Sequence, residues 1–256
     1  MKIDILMAIY YKDRFEWIKN SVESTITSCG NYLKNFIVVL DGPVEKQIEE
    51  YLKNINKMKI YKLKKNMGLS YALNYGLSFC SSEYVARMDA DDICLPNRFK
   101  DQINKIYEND CDIITGLVIE NNQKSSSKKL IKSNNLYIAN TFNHPTVIFK
   151  KEKIDALGGY RHIRFFEDYD LWLRAKKNNF HLEFMNEFLV EMRFDDLSLK
   201  RRTGIYYMLF EIVALKTFFF NDRLIPFKYL PIWIIRIFIR VLPINIYYLI
   251  RKKIFR

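Results

Sequence analysis

The hydrophobic positions fall into short β-branched runs separated by stretches with helical spacing. Residues 3–10 and 36–40 are apolar and of strand length, and between them Phe15, Ile18, Val22 and Ile26 recur at intervals that predict a helix over 14–28. The alternation continues with a helix near 44–55, a strand near 59–63, a helix near 69–80 and a strand near 84–88. Such a succession predicts an α/β fold with a mainly parallel sheet flanked by helices. Pro96 suits the first turn of a helix reaching about residue 107, because its missing N–H has no intrahelical role there. Strands are expected over 113–119 and 146–150, followed by a Gly158-Gly159 turn and a helix over 168–177. Residues 121–133, rich in Lys and Ser, read as a surface loop.

The pattern changes toward the C-terminus. Residues 230–242 carry Trp233, Ile234, Ile235, Ile237, Phe238 and Ile239, with Arg236 and Arg240 four residues apart on one side. The longest uncharged run in this C-terminal segment, 241–250, is far short of the roughly 20 apolar residues that a spanning helix needs. The expectation is an amphipathic tail lying on a membrane, with Arg251, Lys252, Lys253 and Arg256 toward anionic headgroups. A helix packed on the preceding domain is the alternative.

Charge follows the same division. The 256 residues have a formal charge of +12, but residues 223–256 hold eight Lys/Arg and no Asp/Glu, leaving +4 before them. The excess is a property of the tail, so nucleic acid is not an expected partner. With 49% hydrophobic residues, the chain can sustain a real core. Cys29, Cys80, Cys94 and Cys111 form no C-x-x-C pair, which suggests reduced thiols rather than zinc or disulfides. Asp4 interrupts the first apolar run, which argues against a signal peptide and for a cytoplasmic catalytic part.

The chemistry concentrates at Asp89-Ala90-Asp91-Asp92, which follows a strand and precedes a helix. A strand end is where a parallel sheet keeps its ligands, and clustered carboxylates suit Mg²⁺ or Mn²⁺ and, through the ion, the phosphates of a nucleotide. A calcium loop would need Gly and Glu where Cys94 and Lys100 stand. Asp41, on a tight turn after the second strand, is placed to meet a base or ribose, or simply to shape the turn. Asn66-Met67-Gly68 opens a helix and offers backbone amides there, although it is too short to be a phosphate loop. Glu167 and Asp168 stand at a helix start after an aromatic lead-in, where they can cap the helix or act as a general base, with Trp172 available to stack on a sugar.

Together these segments resemble the inverting family 2 glycosyltransferases of the GT-A fold, closest to the amylovoran and O-antigen type. The resemblance runs through residues 3–10, Asp41-Gly42, Asn66-x-Gly68-Leu69, the Asp89 to Asp92 cluster with Pro96-x-Arg98, His144-Pro145, Gly158-Gly159-Tyr160 and Glu167-Asp168-Tyr169-x-Leu171-Trp172. It implies that Asp41 contacts uracil, Asp89 the ribose and Asp91 the metal that bridges the diphosphate, with Asp89 close to the ion. Ala8, Tyr10, Asn66 and Gly68 would lie beside the nucleotide, although the family often has Pro where Ala8 stands and Asn where Tyr11 stands. Asp168 would be the catalytic base, with Glu167, Trp172 and His144 on the acceptor.

The implied reaction moves one hexose, from UDP-glucose or UDP-galactose, to a saccharide on undecaprenyl diphosphate at the cytoplasmic face of a bacterial inner membrane. Residues 1–200 would form the catalytic domain, with a nucleotide-binding half at 1–110 and an acceptor-binding half at 111–200. Residues 201–256 would be the membrane-associated region. A sugar nucleotidyltransferase should begin with a Gly-rich phosphate loop, yet residues 1–20 contain no Gly. A processive synthase should carry Q-x-x-R-W after the base, and no Gln follows Gln123. A glycosidase needs two carboxyls facing each other across the bond, which adjacent Glu167 and Asp168 do not suggest. A non-catalytic membrane-surface protein would leave the acidic cluster unexplained.

Overall fold

Apolar residues on both faces of a strand force helices onto both sides of the sheet, and the first part of the chain is built this way. A computed structural model describes residues 1–120, 136–193, 202–243, 246, 247 and 250. The expected loop over 121–133 and the basic residues 251–256 lie outside them.

The order begins β1 (Ile3–Ile9), α1 (Phe15–Cys29), β2 (Leu33–Leu40), α2 (Lys46–Lys53), β3 (Met58–Lys62), α3 (Leu69–Leu77) and β4 (Tyr84–Arg87). It continues with β5 (Ile93–Cys94), α4 (Arg98–Asn109), β6 (Ile113–Glu120), β7 (Ile148–Lys150), α5 (Lys151–Ala156), α6 (Glu167–Lys177) and β8 (Leu182–Met192). Two further helices close the described chain, α7 (Gly204–Leu215) and α8 (Leu230–Ile239).

The strands form one sheet in the order β3-β2-β1-β4-β7-β6-β8-β5. The first four run parallel, as the β-α-β pattern predicts. Beyond them β7 runs against both β4 and β6, while β8 returns parallel to β6 and antiparallel to β5. The chain leaves β1 toward β2 on one side and reaches β4 on the other, so the strand order reverses at β1. Crevices for ligands open at such a reversal, beyond the C-terminal ends of the strands.

Side chains of β1 alternate between two cores. Ile3, Ile5, Met7 and Ile9 join Ile18 and Val22 of α1 and Phe99 and Ile103 of α4, while Leu6 joins Leu73 of α3 and Leu171 and Trp172 of α6. Each fully buried aliphatic side chain is worth roughly 1.5–3 kcal/mol in transfer free energy. Gly76 lets α3 lie close on the sheet, because a Cβ there would stand 2.4 Å from Leu6 Cδ1 and 2.8 Å from Val39 Cγ2. The second core extends to Tyr207 and Ala214 of α7 and Trp233 of α8, so the tail packs on the sheet domain through one face. All four cysteines are free and buried.

Sequence patterning missed four elements. β8 is half-buried along much of its length and lacks a clean alternation, β5 has only two residues, α5 is a helix of six residues, and α7 was not separated from the tail. The side of α8 that carries Arg236 and Arg240 turns inward, onto the fully buried carboxylate of Glu211 in α7. A buried carboxylate demands partners, so it draws the charged face of α8 toward the protein.

Asp4, which breaks the first apolar run, is fully buried and stitches three segments. Its carboxylate accepts from Asn35 N at 3.1 Å, Asn35 Nδ2 at 2.8 Å, Ser81 N at 2.5 Å and Ser82 N at 2.8 Å. Asp4→Ala would leave these buried donors without an acceptor, and the expected loss is about 3 kcal/mol of unfolding free energy. Urea denaturation measures it, and an unchanged midpoint would count against the role.

Candidate active site

Two cavities open at the strand ends and share a wall. The first, about 510 Å³, is lined among others by Ala8, Tyr10, Asp41, Asn66, Gly68, Asp89 and Asp91. All seven residues expected at the nucleotide therefore meet in one place. The second, about 430 Å³, is lined by His144, Asn140 and Asp168 and by Arg202, Arg236 and Arg240. Asp89, Phe165, Met192, Leu69 and Arg202 line both.

Asp41 shapes a loop from its turn. Its carboxylate accepts from Met67 N at 2.6 Å and from Gly68 N at 3.0 Å. The amides before α3 thus serve Asp41. Gly42 permits the close approach, because with φ 91° it sits where a Cβ would be 2.7 Å from Asn66 N.

Four carboxylates crowd the other side of this cavity, and each is answered differently. Asp89 pairs with Arg87, a nearly fully buried guanidinium. Asp91 accepts from Arg193 Nη2 at 2.8 Å and Nε at 3.1 Å. Asp92, buried, accepts from Arg193 N at 2.9 Å and so anchors the end of β8. Asp13 accepts from Tyr10 N at 2.9 Å. Arg193 also lies over the Trp17 ring, 3.6 Å from its centroid.

Crowding shows in the acidities. Burial, with the neighbouring charges of Asp91 and Asp89, pushes Asp13 up to about 7. Burial and the charge of Asp89 raise Asp91, against the pull of Arg193. Burial, with Asp89 and Asp91, holds Asp92 well above the usual carboxylate range. An acidic wall of this kind fits a divalent cation, which relieves the repulsion. Among the described residues no three His, Cys, Asp or Glu groups could hold a metal ion by themselves. The donor set therefore suits Mg²⁺ or Mn²⁺ held by one or two carboxylates, with substrate phosphates and water completing the shell.

In the second cavity Asp168 stands in the first turn of α6. Its Oδ2 accepts from Asn140 Nδ2 at 2.7 Å, and Oδ1 from Tyr169 N at 2.8 Å. Burial raises its pKa, while the Asn140 bond, the Tyr169 amide and the charge of Arg202 oppose that rise. His144, whose Nε2 is 3.0 Å from Tyr160 Oη, is kept neutral mainly by burial. Phe165 has φ 69°, an unfavourable backbone for a bulky side chain, and stands in the shared wall.

Trp172 is a correction. Its ring is fully buried and packs on Phe142 and His144, so it supports the cavity from behind and presents no face to a sugar. Glu167 is half-buried beside Asp168, raised to about 7 chiefly by burial, and lines neither cavity. Sequence reasoning missed Asp13, Arg193, Asn140 and Arg202. Asp13 lay within reach of a motif reading, four residues past a strand that ends at the crevice. Arg193 had no local signal, since the chain brings it back only through β8.

Residues 4–172 match the model of glycosyl transferase family 2. A UDP-Gal:alpha-D-GlcNAc-diphosphoundecaprenol beta-1,3-galactosyltransferase of Escherichia coli is 35% identical over 268 aligned positions, covering 100% of this chain and 97% of the relative. The amylovoran biosynthesis glycosyltransferase AmsE of Erwinia amylovora is 30% identical, covering 97% of each. Among solved structures, Staphylococcus aureus TarS 1-349 in complex with UDP-GlcNAc superposes with a TM-score of 0.67 at 17% identity, covering 87% of this chain and 68% of that one. The mannosyltransferase PcManGT of Pyrobaculum calidifontis, in complex with GDP-Man and Mn²⁺, gives 0.68 at 12% identity, covering 93% and 69%. At these identities the structural matches speak to the fold, which is the expected GT-A arrangement. The family model and the full-length relatives go further: this chain belongs to glycosyl transferase family 2 and is a glycosyltransferase.

Proposed function

We propose that the protein transfers one hexose from a UDP-sugar to a saccharide carried on undecaprenyl diphosphate, with inversion. The carrying observation is the pair of adjoining cavities. Asp91 lines only the first, Asp168 only the second, and Asp89 and Arg202 stand between. That arrangement suits a donor and an acceptor that meet at one wall. Galactose is the favoured hexose, with glucose the alternative, because the E. coli relative is named for UDP-Gal.

In this reading Asp89 and Asp91 hold Mn²⁺ or Mg²⁺ at the diphosphate, with Asp89 also at the ribose and Asp41 toward the base. The ion, when bound, neutralises charge on the leaving diphosphate. Asp168 accepts the proton of the attacking hydroxyl, and Asn140 and the Tyr169 amide hold the carboxylate in place for it. His144, neutral and part of the same wall, offers a ring nitrogen to an acceptor hydroxyl. Arg193 pairs with Asp91 at 2.8 Å.

The exposed face of α7 and α8 is proposed to rest on the cytoplasmic side of the inner membrane. Ile205, Leu209 and Val213 of α7, with Ile235 and Phe238 of α8, are all more than half exposed. Among the described residues no helix is long and apolar enough to cross a membrane. An in-plane attachment uses such a face together with the basic tail. Residues 1–200 would then be the catalytic unit and 201–256 the attachment.

Asp168→Asn should abolish transfer while UDP binding persists, and normal turnover would remove Asp168 from the role. Transfer by the unaltered protein should fail on the acid side as Asp168 gains its proton. Asn140→Ala should move that limb to higher pH, because it deletes a bond favouring the charged form. Asp91→Ala should reduce UDP affinity in the presence of Mn²⁺ and leave the metal-free affinity nearly unchanged; calorimetry under both conditions decides this. Leu209→Glu with Phe238→Asp should weaken co-sedimentation with anionic vesicles without changing UDP binding. Undiminished sedimentation would move the membrane contact elsewhere.

A further inference from the structure

The second cavity has a polarity that the transfer reaction alone does not require. Its acidic lining, Asp89, Glu120 and Asp168, belongs to the sheet domain, and its basic lining, Arg202, Arg236 and Arg240, to the C-terminal segment. The two helix arginines are fixed rather than mobile. Arg236 Nη2 is 2.7 Å from Glu211 Oε1, and Arg240 Nε is 2.6 Å from Glu211 Oε2. Arg236 donates to the Ile138 carbonyl and lies over Trp233 with its Cζ 4.2 Å from the ring centroid. Arg240 donates to the Tyr247 hydroxyl and, at 3.2 Å, to the Arg202 carbonyl. One carboxylate therefore orders two guanidinium groups and, through the Arg202 backbone, the start of a third.

A clamp that served only to join α7 to α8 would balance Glu211 with a single arginine. Glu211 balances one of the two arginines, so with Arg202 the cluster keeps positive charge of its own in the cavity that Asp89, Glu120 and Asp168 also line. Arg236 and Arg240 line the same cavity as Asp168, and on the same pair of helices Ile205, Leu209, Val213, Ile235 and Phe238 are apolar and exposed.

We propose that Arg202, Arg236 and Arg240 form the binding site for the diphosphate of the lipid-linked acceptor. The proposal rests on the transfer reading above and names the part of the acceptor that the C-terminal helices recognise. A saccharide diphosphate lipid carries a hydroxyl, a diphosphate and a hydrocarbon, and this cavity with its helices offers a base, guanidinium groups and an apolar face. Planar guanidinium pairs match phosphate oxygens, and held by Glu211 they lose little side-chain freedom on binding. Glu211 is thus a positioning residue for the two helix arginines.

The test compares two acceptors with the same sugar and an undecyl chain, one joined through a diphosphate and one through an ether. The expected KM ratio favours the diphosphate about 10- to 100-fold. Arg202→Gln and Arg240→Lys should each reduce that preference about tenfold. A ratio is used because Arg202 also acts on Asp168, and an effect on the base cancels between acceptors. Arg202 is exposed and outside the Glu211 pairs, so its variant keeps the test open if Arg240→Lys fails to fold.

Calorimetry with undecyl diphosphate alone reads the site without transfer and so separates this proposal from the choice of sugar. Binding that weakens in Arg202→Gln supports the site even if the hexose or acceptor sugar is another one. Equal KM values for both acceptors overturn it. So does phosphatidylglycerol binding with the same affinity and the same loss in the variant, which would assign the arginines to bilayer headgroups.

Discussion

Repulsion among carboxylates at the end of β4 is the constraint to which much of this structure answers. Asp13, Asp89, Asp91 and Asp92 line one wall, and the charge of Asp89 is among the causes that raise the pKa of each of the other three. A fold that brings them together must supply positive charge and amide donors from elsewhere in the chain. Arg87 comes from the strand itself, but Arg193 arrives only because β8 runs back along β6 and pairs Glu191 with Ile93 of β5. The two-residue β5 is therefore the hinge of the site: it fixes β8 in the register that delivers Arg193 to Asp91 and its amide to Asp92. The same crowding makes the wall a poor host for a diphosphate and a good one for a divalent cation with a diphosphate behind it.

What was legible in the sequence is what is local. The β-α-β order, the parallel half of the sheet and the seven residues of the first cavity all follow from strand ends, turns and acids lying near one another in the chain, together with the family resemblance that they carry. Asp168 was legible for the same reason, as an acid at a helix start behind aromatic residues. Arg193, Asn140 and Glu211 were not, because each acts on a partner at least 25 residues away and none carries a spacing signal of its own. Trp172 shows the opposite error. An aromatic one turn from a candidate base invites a stacking role, but at that position in α6 the ring points into the core, where Phe142 and His144 meet it.

The C-terminal helices invert the usual reading of an amphipathic segment. Hydrophobic residues beside two arginines predict arginines outward and aliphatics inward or into lipid. Here one carboxylate in α7 changes the answer, because burying Glu211 is tolerable only with guanidinium groups against it. The consequence is a helix pair whose charged side faces the cavity while much of its exposed side is apolar. Hydropathy along α8 alone could not show this, since the deciding residue is on another helix.

The separation of the two cavities also bears on stereochemistry. A double displacement would need a carboxylate poised to attack the anomeric carbon from within the donor cavity, on the side away from the diphosphate. Asp89 and Asp91 line that cavity, but one is paired with Arg87 and both lie on the acidic wall read here as the diphosphate side. Asp168 is the acid across the shared wall, held by Asn140 and open to the acceptor cavity. On the reading proposed above, the group it can reach is the incoming hydroxyl rather than the sugar carbon, so the geometry favours a single displacement. The arginine-lined end of the cavity then limits how an acceptor enters. A diphosphate drawn toward Arg236 and Arg240 leaves the sugar to extend toward Asp168, which turns an electrostatic preference into an orientation for the attacking hydroxyl.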